Sequence, residues 1–169
     1  MIELPDSHAH VDGPEFDAAR ADVLARARAA GVRRIVVIGA VGEPTSAERA
    51  VALAEQDPDV WATVATHPHD VEKMTDDWWA VHERLAPHPR VVAIGETGLD
   101  YYYDHSPREQ QQAAFRRFVD LARRVGKPVV CHIRSQKEDA TRAPGGADAP
   151  DAHVDARAIL RETGAPELG

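Results

Sequence analysis

The chain has 169 residues, of which 43% are apolar and 28% charged, enough for one domain with a substantial core. No apolar run approaches the roughly 18 residues of a membrane span, and no basic stretch precedes an apolar one, so we expect neither a membrane segment nor a secretory signal. The net charge of −8 argues against nucleic-acid binding through a broad basic face, although bound cations could still attract phosphate. The single Cys131 excludes an internal disulfide and favours a cytoplasmic location.

Apolar strands and amphipathic helices alternate along the chain. Strands are predicted at 2–8, 35–39, 60–66, 91–95 and 128–131, and helices at 14–30, 44–56, 76–86 and 107–125. Ser106 and Glu109 predict a capping box at the start of the fourth helix. This alternation predicts a parallel α/β sheet, either open and doubly wound or part of a (β/α)8 TIM-type barrel.

Residues that can bind metal follow three of the predicted strands. His8 and His10 point to the same side of an extended segment, Glu96 lies between glycines after the fourth strand, and His132 follows the fifth. The carboxyl ends of barrel strands form a ring on one face, where such residues can converge, so the barrel is favoured over the open sheet. Imidazole and carboxylate donors without thiolate suit Zn²⁺, Mn²⁺ or Mg²⁺.

Other polar residues near strand ends leave alternatives open. His67 is a candidate for contact with substrate or with a metal ligand, and Arg134 either holds a substrate phosphate or pairs with a carboxylate. For His69, an exposed position in a His-Pro turn is at least as favoured as a role in the site. His82 and His88 are assigned no function.

Four motifs resemble those of the TatD family of metal-dependent deoxyribonucleases. They are Asp6-Ser7-His8-Ala9-His10, Thr66-His67-Pro68-His69, Gly95-Glu96-Thr97-Gly98-Leu99-Asp100-Tyr101 and Pro128-Val129-Val130-Cys131-His132-Ile133-Arg134. The resemblance implies a (β/α)8 barrel of the amidohydrolase superfamily with two divalent cations, acting on DNA as a phosphodiesterase and most simply as an exonuclease. By the same resemblance, His8 and His10 bind one metal, Glu96 bridges, and His132 binds the second.

The resemblance covers residues up to Arg134 and is weak after it. The family pattern continues through a further metal-ligand His and a catalytic Asp at later strand ends, and neither is found here, so no catalytic residue is assigned. We therefore expect a single domain: β/α units one to five of eight at 1–134, a polar loop at 135–150, and a terminal helix and tail at 151–169. Five strands cannot close a barrel, so the first and fifth would be apolar edges open to self-association.

The sequence is compatible with three functions. The first is a truncated TatD-like nuclease, weak or inactive in the form given. The second is a hydrolase of small amides or esters from the same superfamily, whose members often bridge their metals with a modified lysine; Lys127 precedes a strand rather than following one. The third is a half-barrel that binds metal without catalysis.

Overall fold

The chain alternates five strands with five α-helices in this computed structural model, which describes residues 3–103, 105–135 and 151–164. The strands are β1 (Leu4–Ala9), β2 (Val32–Gly39), β3 (Val60–Val64), β4 (Val91–Asp100) and β5 (Val129–Arg134). The helices are α1 (Arg20–Ala29), α2 (Thr45–Gln56), α3 (Asp76–Leu85), α4 (Arg108–Val125) and α5 (Ala152–Glu162). Short 3-10 helices at Pro14–Phe16 and Pro68–Lys73 follow β1 and β3.

All five strands are parallel and lie in sequence order, β1-β2-β3-β4-β5, in one sheet. A doubly wound sheet would reverse its order at a switch point, so consecutive order distinguishes the barrel from the open sheet. The sheet curls as a half-barrel with helices between its strands, as the sequence predicted. Within the described residues, β1 and β5 form its two edges.

Two clusters of buried side chains hold the helices on the sheet. The larger cluster joins β2, β3 and β4 to α2, α3 and α4, and Trp79 packs there against Phe118 with ring centroids 5.0 Å apart. The smaller cluster joins Leu99, Tyr101 and Phe115 to the inner face of α5. Helix α5 therefore covers β4 and β5 as the outer helix of a fifth β/α unit.

The structure corrects three local predictions. The helix predicted at 14–30 is divided into the 3-10 helix Pro14–Phe16 and α1, which begins only at Arg20. Strand β4 continues to Asp100 rather than stopping before Glu96, so Glu96 lies inside the strand. Ser106 does not cap α4, whose first turn has no side-chain cap; its hydroxyl instead donates to the carbonyl of His69 and accepts from the backbone N–H of Glu72. Ser106 thus fastens the 3-10 helix after β3 to the start of α4.

The predicted polar loop falls mostly outside the described residues, which resume at Asp151. Among the described helices, none combines the length and the apolar character needed to cross a bilayer.

Gly98 allows β4 and β5 to approach closely. Its φ is +147°, and a Cβ there would overlap the carbonyl oxygen of His132, the residue paired with it in β5. At Gly126, where φ is +66°, a Cβ would meet open space.

We expect Gly98→Ala to lower the free energy of unfolding by about 3–5 kcal/mol, since backbone strain and overpacking add. Gly126→Ala is the matched control and should cost only about 1–2 kcal/mol, the penalty of the left-handed conformation alone. Urea denaturation of both variants measures the difference. Equal losses would show that the strand contact at Gly98 tolerates a side chain.

Candidate metal centre

The two histidines of the first motif face Glu96 of β4. The rings of His8 and His10 lie side by side, with centroids 5.1 Å apart, as expected for residues i and i+2 of an extended segment. One donor atom from each of His8, His10 and Glu96 lies within 4.8 Å of the other two. The structure therefore brings these three predicted residues, which come from the β1 and β4 segments of the sheet, into one group.

Glu96 directs its two carboxylate oxygens to different histidines. Its Oε2 lies 3.4 Å from Nε2 of His8, and its Oε1 lies 2.9 Å from Nδ1 of His132. Two ligand atoms of one tetrahedral ion, each about 2.0–2.1 Å from it, are themselves roughly 3.3 Å apart. Each oxygen of Glu96 thus has an imidazole nitrogen near the spacing that a shared cation would impose.

The imidazole of His132 is held at both nitrogens by carboxylates of β4. While Nδ1 faces Glu96, Nε2 lies 3.0 Å from Oδ2 of Asp100. Gly98 is the residue of β4 paired with His132, and it lies midway along the strand between these two carboxylates. Glu96, Gly98 and Asp100 alternate onto the same face of β4, and the missing side chain at Gly98 leaves room for the backbone carbonyl of His132.

Asp100 is a site residue that the sequence analysis did not single out. Its side chain is fully buried, and Oδ2 also accepts a hydrogen bond from Nε2 of His69 at 2.7 Å. Of the two alternatives for His69, the structure therefore favours a position in the site over an exposed turn. The signal in the sequence was the period of two, because continuing the strand past Glu96 puts Asp100 on the same face.

A second group of three potential metal ligands is formed by His67, His69 and His132. Nε2 of His67 lies 3.2 Å from Nδ1 of His132, and the backbone N–H of His69 points to Nδ1 of His67. His132 is thus a member of this second group and also contacts Glu96 of the first. His67, predicted to contact substrate or a metal ligand, lies against the predicted ligand His132.

The charges of these groups follow from their contacts. Burial lowers the pKa of His67 to about 4, helped by the neighbouring His132 and His69, so its ring is neutral at physiological pH. The hydrogen bond to Glu96 raises the pKa of His132, and Asp100 adds to this. Burial opposes ionisation of Glu96, but the hydrogen bond from His132 and the nearby imidazoles outweigh it and lower its pKa. A metal ion would therefore compete with a proton for Nδ1 of His132.

The pKa of the Asp100 carboxyl is also held well below its usual range. Burial alone would raise it, but hydrogen bonds from His69, from the backbone N–H groups of Tyr103 and Tyr102, and from His132 favour the carboxylate. An ionised acceptor at Nε2 fixes the proton of His132 on that nitrogen and leaves the lone pair of Nδ1 for a cation. The donor set, the spacing and this orientation all fit a divalent metal.

Arg134 lies near a carboxylate of the candidate site, whereas Lys127 lies away from the site. The Arg134 guanidinium lies over the rings of Tyr102 and Tyr103, with Nε 3.9 Å from Asp100, so a weak carboxylate contact is present. Lys127 donates to the carbonyls of Ala86 and His88 at 2.5 and 2.7 Å, before β5 begins, and does not enter the site.

The family model described as "TatD related DNase" matches residues 5–168. The chain belongs to the TatD family. The match continues past Arg134 to residue 168. This agrees with α5 packing as the helix of a fifth β/α unit.

Similar proteins include hydrolases and a solved structure. The chain is 36% identical over 166 residues to a metal-dependent hydrolase, YabD, of Bacillus subtilis, covering 98% of this chain and 58% of YabD. It is 42% identical over 113 residues to the 3'-5' ssDNA/RNA exonuclease TatD of Edwardsiella piscicida, covering 66% and 43%. The crystal structure of YjjV, a TatD homologue of Escherichia coli, superposes with a TM-score of 0.71 at 34% identity, covering 78% and 51%. The TatD-family chain therefore spans about half the length of these relatives.

A buried histidine supports the segment that carries His67. Nε2 of His82 in α3 lies 2.9 Å from the hydroxyl of Thr66, and burial lowers the pKa of His82 to about 4. In the unfolded chain a histidine titrates near 6.5. The unfolded state therefore binds more protons between these values, so stability is complete above about pH 6.5 and is lost as the pH falls toward 4.

We expect His82→Gln, which keeps a hydrogen-bonding group but does not titrate, to remove part of this pH dependence. His82 accounts for a loss of up to about 3 kcal/mol between pH 6.5 and 4, and His67 contributes a similar slope that the variant retains. Urea unfolding of both proteins at several pH values in that window measures the change. Identical slopes would mean that folding leaves the pKa of His82 unchanged, which would contradict the effect of burial.

We expect Asp100→Asn to weaken divalent-metal binding by roughly 10- to 100-fold, because an amide does not orient His132 as the carboxylate does. Calorimetric titration with Zn²⁺ or Mn²⁺ measures the affinity. Asp120→Asn on the exposed side of α4, where Asp120 pairs only with neighbouring arginines, is the matched control. Unchanged affinity in the Asp100 variant would remove the orienting role.

Proposed function

We propose that this TatD-family chain provides the metal centre of a phosphodiesterase that acts on DNA. In this proposal His8 and His10 bind one divalent cation, Glu96 bridges two cations, and His132 binds the second. The oxygen and nitrogen donors suit Mg²⁺, Mn²⁺ and Zn²⁺ alike, so the proposal covers all three ions.

The observation that supports the proposal most is the division of Glu96 between two histidines. A carboxylate that binds one ion needs only one direction of approach, whereas Glu96 faces His8 with one oxygen and His132 with the other. This is the arrangement required of a bridge between two neighbouring cations. When bound, such a pair of cations supplies a nucleophilic water at neutral pH and stabilises charge on phosphate oxygens.

The protein groups around this site have distinct parts in the proposal. Asp100 orients His132 by accepting its Nε2 proton. The neutral ring of His67 borders the second cation position, and its Nε2–H can donate to a phosphate oxygen there. Arg134, which is nearly half exposed at the same edge, can pair with a further phosphate of the chain.

Nucleic acid is the proposed substrate because of the relatives. Several of the similar proteins are named as 3'-5' ssDNA/RNA exonucleases. The net charge of −8 argues against phosphate binding through a broad basic face, so phosphate affinity supplied by cations is consistent with the composition. Weak or absent activity of the chain on its own, self-association through the strand edges, and a cytoplasmic location stay predictions.

A metal-binding half-barrel without catalysis is the second candidate. The observation that favours it is that His8, His10 and Glu96 form a three-donor group within this chain, which spans about half the length of its relatives. The small amide or ester hydrolase is less favoured, because Lys127 is engaged by two backbone carbonyls away from the site.

We expect Glu96→Gln to reduce whatever metal-dependent cleavage of a single-stranded oligonucleotide the chain shows by roughly a hundredfold or more, the rate equivalent of several kcal/mol of metal-supplied stabilisation. It should also reduce the number of bound cations, because a neutral amide cannot bridge two ions. Gel analysis of a labelled oligonucleotide with Mn²⁺ or Mg²⁺, and calorimetry with the same ion, give the two readouts.

The matched control is Glu55→Gln, since Glu55 is exposed on α2 and pairs with His88. Cleavage that survives Glu96→Gln or excess chelator would contradict the proposed centre. Stoichiometric metal uptake with no cleavage would favour the non-catalytic half-barrel, and cleavage of p-nitrophenyl esters alone would favour the small-molecule hydrolase.

A further inference from the structure

Two exposed tyrosines follow directly after the strand that carries Glu96 and Asp100. Among the residues that the structure describes, the exposed large hydrophobic side chains include Tyr102 and Tyr103, with exposed fractions of 37% and 50%. Apolar surface of this size beside a polar site often marks a place where a ligand packs.

Tyr103 joins a group of rings that reaches the metal-binding histidines. Its ring stacks on His105, with centroids 5.5 Å apart and planes only 6° from parallel. It also meets the ring of His69 edge-on at 5.6 Å, and His69 in turn lies 6.0 Å from His132. The exposed tyrosine is thus separated from the predicted ligand His132 by a single imidazole.

Asp100 fixes the tyrosines relative to the metal centre. Its Oδ1 accepts hydrogen bonds from the backbone N–H groups of Tyr102 at 2.9 Å and Tyr103 at 3.1 Å. Its Oδ2 holds His69 and His132. The buried carboxylate of Asp100 therefore positions the backbone of the two tyrosines with one oxygen and the two imidazoles with the other.

A cation completes this surface. The guanidinium carbon of Arg134 lies 5.2 Å from the centroid of the Tyr103 ring and 5.8 Å from that of Tyr102. A planar cation beside aromatic rings is suited to a nucleotide, because it can pair with phosphate or lie against a base.

We propose that Tyr103, whose ring stacks on His105 and lies beneath the Arg134 guanidinium, holds an unpaired base next to the phosphate at the metal centre, with the guanidinium turning from the ring to that phosphate. This inference rests on the proposed nuclease function and assigns it a residue that holds an unpaired base. Bases of a duplex are already stacked on their neighbours, whereas those of a single strand are free to pack on an aromatic ring. Stacking does not depend on charge, which suits a chain with a net charge of −8.

The test compares two oligonucleotides of equal length and charge, oligo-dT and the corresponding abasic strand. Binding of each to the full chain is followed by fluorescence anisotropy at low salt with Mn²⁺ or Mg²⁺ present, over a time in which a gel shows both strands intact. The wild-type chain should bind oligo-dT roughly 5- to 150-fold more tightly than the abasic strand, the range found for one stacked base. Tyr103→Ala should abolish that preference, and Tyr103→Phe, which retains the ring, should keep it.

Leu4→Ala is the control, because it trims an exposed apolar side chain at the amino end of β1, away from the site. Circular dichroism establishes that each variant is folded, and His105→Leu gives an independent reduction of the preference. If wild-type binds oligo-dT but Tyr103→Ala and His105→Leu keep its preference, the stacking surface is refuted while the nuclease proposal stands. Equal weakening for both strands would also refute stacking. No binding of either strand, together with no metal-dependent cleavage, would refute the nuclease function and this inference with it.

Discussion

The site depends on one imidazole held between two carboxylates. His132 is paired with Gly98 of β4, while Glu96 and Asp100, two residues before and after that glycine, each contact one of its nitrogens. The strand pairing, the absence of a side chain at Gly98 and the alternation of β4 together produce this contact. Without close pairing of β4 and β5, Oε1 of Glu96 would lose its contact with His132.

Most of the fold followed from the sequence because apolar periodicity and Pro or Gly boundaries are local. The helices α2 and α3 begin and end within a residue or so of their predicted limits. Strand β4 was predicted too short because Glu96 and Asp100 interrupt its apolar run, although both lie on the inner face of the curled sheet. The free-energy cost of burying these carboxylates is offset by histidines from other parts of the fold. A local sequence pattern cannot predict such distant partners.

The candidate metal ligands were predictable from the sequence, but the residues that contact and orient them were not. His8, His10, Glu96 and His132 were chosen from strand ends, and the structure brings them together, although their binding of metal stays a prediction. Asp100 and His69 were missed or left open, since their importance lies in a contact between β4 and the turn after β3. The capping interpretation of Ser106 was wrong because a carbonyl and an amide from that same turn satisfy its hydroxyl.

The two carboxylates also restrict the motion of the ring between them. A half-turn of His132 would carry both nitrogens away from their present partners, so the hydrogen bonds to Glu96 and Asp100 would break together. The ring therefore presents the same nitrogen to Glu96 before any ion arrives. If the predicted cation binds there, little conformational entropy of this side chain remains to be lost, because β5 presents the imidazole already oriented.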